Sequence, residues 1–197
     1  MHLHGMNGSN KKSFDGSSPW CLTEDRTYFV SFCISIQLQL LFDLPSPLQL
    51  WELEFPLPSS EEEWYAEDAE SWITLRNVGS TPPTPNFLPA FQHLFEVNID
   101  NRQRYSEFGG YIMISALVYS ILDSYRDSKI PAISTDFTSI DNALDNWQRL
   151  WQADPKSRST GPSSAFGAMA FNASAVYRAA SVRRIRDYSR FKSSDLG

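Results

Sequence analysis

Between Thr27 and Leu40 polar residues recur every fourth position, at Thr27, Ser31, Ser35 and Gln39, while Phe29, Phe32, Cys33, Ile36 and Leu40 fill the other side. That spacing predicts a helix with a narrow polar stripe, mostly buried. Its last turns, Ile34–Leu40, also alternate with period two and would fit a strand, but the length of the run favours helix. The pattern then stops at Phe42–Pro58, FDLPSPLQLWELEFPLP, where four prolines each bias the preceding residue toward extended backbone. An extended Gln49–Phe55 would place Trp51, Leu53 and Phe55 on one side. The segment therefore reads as a strap, lying across a groove between helices and meeting its backbone needs through side chains and water.

Helical signals resume at Ser60, three residues before Glu63, with acids filling the first turns where the helix dipole favours them. Here Trp64, Asp68, Trp72 and Leu75 share a face. Gly79–Phe87 is a loop by its prolines and glycine, and a short apolar helix over Phe87–Phe95 follows. Gly109–Leu122 is apolar nearly all round, which predicts a central buried helix. Thr138 or Ser139 caps the next helix, with Ile140, Leu144, Trp147 and Trp151 on one stripe. In the last, Phe166, Met169, Ala173, Val176, Tyr177 and Ala180 form a seam whose alanines permit close helix approach. The fold class predicted is all-α: an irregular multi-helix domain fragment with a proline-rich extended strap. Residues 1–21 read as a disordered lead-in, 22–192 as the helical domain and 193–197 as a tail.

Composition fits a globular chain: 197 residues, 42% hydrophobic, 14% aromatic and 20% charged. Charge is unevenly placed. From Asp43 to Asp100 eleven acids face the single base Arg76, whereas from Lys156 onward eight bases face Asp187 and Asp195. The first helical run is too short and too polar to span a membrane comfortably, and the N-terminus lacks the layout of a secretory signal.

Candidate chemistry is sparse. Glu61, Glu62, Glu63, Glu67, Asp68 and Glu70 crowd together, yet they fall where a helix start wants acids and read as a solvated face. His2 and His4 sit at the extreme N-terminus, and His93 reads as a core or boundary residue. Two N-x-[ST] triplets, at Asn7 and Asn172, carry little weight without a secretory signal. Motifs for a serine nucleophile or a phosphate cradle are absent. Cys21 and Cys33 read as reduced thiols. Arg183, Arg184, Arg186, Arg190 and Lys192 suit either a nuclear import or phosphate patch, or cations that complement a helix C-terminus.

The proline strap followed by SSEEEWYAEDAESW resembles the fungal-specific regulatory domain, or middle homology region, of fungal zinc-finger transcription factors. The elements that carry the likeness are the RTYF run at Arg26–Phe29, the strap, and an E-x-x-W-x-A core at Glu61–Ala66. LDNWQRLW and AMAFNASAVYRAASVRRIRD, Ala168–Asp187, are similar to later helices of such proteins. The resemblance, covering Glu24–Lys192, implies an all-helical, non-enzymatic regulatory domain in the nucleus, with protein partners or an effector, no membrane, and homodimerisation left open. It also implies an attached zinc-bearing DNA-binding module. With two cysteines lacking the spacing of either zinc module, this chain has no positions onto which zinc ligands or base-reading residues carry, so no cofactor is expected in it and DNA is reached only through an absent module. In this reading Trp51, Phe55, Trp64 and Trp72 are structural anchors of the strap. Two other classes stay open: a stand-alone helical adaptor whose basic tail meets acidic partners, and a helical small-molecule enzyme gathering Asp68, His93 and tyrosines.

Overall fold

The computed structural model describes residues 19–78, 84–99, 104–123, 137–154 and 167–194, with side chains from Asp25 and only as far as Ile185. Seven helices lie within them: α1 (Pro19–Phe42), α2 (Glu61–Trp64), α3 (Ala69–Val78), α4 (Phe87–His93), α5 (Glu107–Asp123), α6 (Phe137–Ala153) and α7 (Gly167–Ser194). No strand occurs among the described residues beyond one isolated bridge, so the fold is all-α, as the periodicities predict. Helix α1 starts at Pro19, inside the stretch expected to be a disordered lead-in; proline suits a first helical position because its missing N–H would have no intrahelical partner there. Residues 1–18 and the Gly79–Pro83 part of the expected loop fall outside the described residues.

Every residue of α5 from Glu107 to Leu122 is buried, and α1, α6 and α7 all pack on it. A helix that is apolar all round can be stable only when surrounded in this way. From α1 come Phe29, Phe32, Cys33 and Ile36; from α6, Ile140, Leu144 and Trp147; from α7, Ala173 and Ala180. The small alanines let α7 lie close along α5. Polar ties fix the register: Gln37 of α1 donates to the Tyr111 hydroxyl, and Trp147 Nε1 donates to Gly110 O at 2.9 Å. Across α6 and α7, Arg184 forms an ion pair with Asp141 at 2.9 Å.

Two expectations for α1 are corrected. Val30, Ile34, Leu38, Leu41 and Phe42 are exposed, so the helix is not buried over most of its circumference. Gln39, assigned to the polar stripe, is buried instead. Asp43 takes a left-handed backbone (φ 57°) and its N–H bonds Gln39 O at 2.9 Å, ending α1 just before the first Leu–Pro step.

The strap is not fully extended. Leu50–Glu52 form one 3-10 turn, with Gln49 N donating to Glu52 Oε2 at 2.7 Å and Tyr119 bonding the Gln49 side chain from α5. Residues three apart eclipse in such a turn, so Leu50 and Leu53 face inward together with Leu57, while Trp51 is 52% exposed. The period-two expectation for Gln49–Phe55 thus gives way to period three, and Trp51 is not an anchor. Phe55 does pack, 5.4 Å from the Tyr28 ring and 6.3 Å from Phe29. Nor is the backbone left to side chains and water. Leu57 N donates to Pro85 O at 2.9 Å and Phe87 N to Phe55 O at 3.0 Å, an antiparallel bridge across Pro56 and Asn86.

Candidate functional site

The end of the strap, the bridge segment at Thr84–Pro85, the head of α5 and Asp154 border a solvent-open cleft of about 190 Å³. Its walls are fixed by hydrogen bonds. Ser106 caps α5 by accepting from Gly109 N at 3.0 Å, and its hydroxyl donates to Pro58 O at 2.7 Å, so the residue that starts the helix also pins the strap. Leu57, Pro58, Pro85 and Tyr105 supply apolar wall. Burial lifts the Tyr105 hydroxyl well above the usual phenol range, and the hydroxyl lies 3.4 Å from Ala90 O.

Glu107 also lines this cleft. Only 4% of the residue is exposed, and its Oε1 has no hydrogen-bond partner. A buried acceptor left unpaired costs about 1–3 kcal/mol, so the position is not explained by packing. The sequence does not single out Glu107, which there closes a polar cluster leading into α5. The one available signal was a carboxylate in the first turn of an otherwise apolar helix.

On the far side of Pro58, Arg26 of α1 donates to Glu61 Oε1 at 3.0 Å, while its guanidinium lies 4.3 Å from the Trp64 ring centroid and 5.0 Å from Phe108. One arginine thereby joins α1, α2 and α5. Trp64 is partly exposed and spends one face on this cation. Trp72 lies instead on α3 under the Arg76 guanidinium of its own helix, 4.7 Å from the ring centroid. The single helix expected through Trp64 and Trp72 is broken after Trp64, because Asp68 Oδ1 accepts from Ser71 N at 2.7 Å and starts α3. Those backbone bonds hold the Asp68 carboxyl below its ordinary range.

The other sequence candidates do not converge. Glu61 is paired with Arg26, exposed Asp68 is a helix cap, and His93 bonds Glu96 Oε2 at 2.8 Å on α4. Among the described residues, Asp68 and His93 thus each bond a neighbour three residues along the chain rather than each other. Arg184 leaves the expected basic patch because it is buried against Asp141. Arg183 is half-buried, and the side chains of Arg186, Arg190 and Lys192 lie outside the described residues, as do His2 and His4. No group of three or more His, Cys, Asp or Glu among the described residues is placed to hold a metal, and no described helix is long and apolar enough to cross a membrane. Cys33 does not fit a zinc ligand either, since burial in the core pushes its thiol up to about 12.

No curated protein and no solved structure matches the chain. One family model does, the fungal specific transcription factor domain, over residues 1–149. That span takes in α1, the strap and the central helix, and ends within α6; α7, beyond it, packs on α5. With most of its length matched, the chain belongs to the fungal specific transcription factor domain family.

Proposed function

We propose that the chain is the regulatory region of a nuclear fungal zinc-finger transcription factor, acting through helix packing and the binding of an effector or protein partner, without bond chemistry of its own. The observation that carries this reading is the family match across residues 1–149. It is supported by the character of the interior, where aromatic and aliphatic side chains fill the space around α5, and by Asp68 and His93 each bonding a neighbour three residues along the chain. DNA contact and zinc belong, in this reading, to a separate module.

The test tethers the full chain to an unrelated DNA-binding domain in fungal cells and reads a reporter, alongside the location of a fluorescently tagged chain. Nuclear accumulation and a reporter signal different from that of the tether alone are expected. A reporter identical to the tether control, with the tagged chain outside the nucleus, overturns the proposal.

A further inference from the structure

We propose that the outer side of α1 is the interface at which two copies of this chain pair, antiparallel, about a two-fold axis at Ile34. Pairing is a property of the isolated chain and stands or falls without the regulatory reading.

The solvent side of α1 is unlike that of α6. On α6 the exposed positions include Asp141, Asn142, Asp145 and Arg149, the polar face that an amphipathic helix turns to water. On α1 they include Val30, Ile34, Leu38, Leu41 and Phe42, which are 41–72% exposed. No charged residue lies between Arg26 and Asp43. With Thr27 and Ser31, which are exposed as well, Ile34, Leu38 and Leu41 follow one another at steps of four, three, four and three, the spacing that keeps a seam facing a second helix. Covering this seam strands neither serine hydroxyl beside it. Ser31 donates to Thr27 O at 3.0 Å and Ser35 to Ser31 O at 2.8 Å, both within the helix.

Charge and symmetry select the occupant. A partner that docks by charge complementarity finds no charge on the seam, and an anionic lipid surface is held by basic residues beside the apolar face, of which Thr27–Phe42 has none. A second copy meets the seam without like-charge repulsion and also matches its shape. With Ile34 on the axis, antiparallel helices set Thr27 opposite Leu41 and Val30 opposite Leu38, the smaller side chain against the larger in each pair. Taking roughly 150–200 Å² for each wholly exposed residue of this size, the seam offers about 500 Å² on one copy and about 1,000 Å² for the pair. That is about the size at which a specific interface begins.

Sedimentation equilibrium of the full chain from about 1 to 100 µM tests this, because a two-fold interface of this area holds in roughly the micromolar range. A monomer–dimer equilibrium is expected that added salt does not weaken, since the seam is uncharged and each copy carries a net charge of -6. Ile34→Glu, with its helical circular dichroism unchanged, sets two carboxylates face to face on the axis and should weaken pairing at least about a hundredfold. Val97→Glu, at an exposed apolar position after α4, should leave it unchanged. Val30→Lys and Leu38→Glu should each weaken self-association, and the two mixed should pair at least about tenfold more tightly than either alone, because the antiparallel register brings the new lysine to the new glutamate. That mixture decides should Ile34→Glu fail to fold. A monomer throughout the range, growth beyond a dimer, weakening by salt, a dimer unmoved by Ile34→Glu or equally weakened by Val97→Glu, or a mixture no tighter than its parts overturns the proposal. A monomer that instead binds vesicles of phosphatidylcholine and phosphatidylserine overturns it in favour of a lipid surface.

Discussion

Replacing Gly110 with alanine sets two effects against each other. In an ordinary helix the change stabilises by about 0.8–1.0 kcal/mol, because glycine loses more backbone freedom on folding. At Gly110 the added Cβ would lie 2.1 Å from Cζ3 and 2.5 Å from Cε3 of Trp151. Carbon atoms rest about 3.5–4.0 Å apart, so the indole must retreat by more than about 1 Å. Its neighbour Trp147 stacks on it at 5.2 Å and cannot follow, being stacked on Tyr177 at 5.4 Å and bonded to Gly110 O. Overpacking of this kind typically costs about 1–3 kcal/mol, and losing an aromatic pair a further 0.5–1.5 or so. Trp151 is half-buried and can swing partly into solvent, which caps the strain. With the propensity gain subtracted, Gly110→Ala is expected to destabilise by about 1–3 kcal/mol. Urea denaturation followed by circular dichroism measures this. In a Trp151→Ala background the obstacle is gone, and the same change should be neutral or stabilising by up to about 1 kcal/mol. A single mutant more stable than its parent, or a loss that persists without Trp151, refutes the packing argument.

Two further perturbations address the strap and the core. Trp51→Ala should cost less than about 1 kcal/mol and Leu53→Ala about 2–5, since the ring is exposed and the leucine fully buried; the opposite ranking in urea denaturation would restore the tryptophan as the anchor. In a Cys21→Ser variant, Cys33 should resist a thiol reagent near pH 8 until the protein unfolds, because burial raises its thiol to about 12. The same shift, with burial acting likewise on the Tyr111 and Tyr119 hydroxyls (each to about 12), favours the neutral forms in the folded state. Stability is therefore full below the ordinary thiol and phenol values and lost as pH rises through them toward about 12, where the folded groups ionise. Denaturation midpoints that do not fall between about pH 8 and pH 10.5 would contradict this sign.

Periodicity determined the central and later helices, α5, α6 and α7, and most of the residues they bury. Ile140, Leu144 and Trp147 are inward on α6 because a repeat of three and four allows only one face to bury, and the apolar stretch of α5 required neighbours on all sides. The order of RTYF run, strap and acidic helix start likewise made the family legible. What the tertiary structure decided lies where the chain is irregular. A single 3-10 turn, held by Glu52 below and Tyr119 above, rotated Leu50 inward and Trp51 outward, and a cap at Asp68 split one expected helix into two. The turn leans on Tyr119, 70 residues away in sequence, which local spacing does not encode, while the Asp68 cap is a contact to Ser71 that hydrophobic periodicity does not register. Glu107 became a candidate site residue only in three dimensions: the strap and Pro85, separate from it in sequence, line one cleft with it at the head of α5.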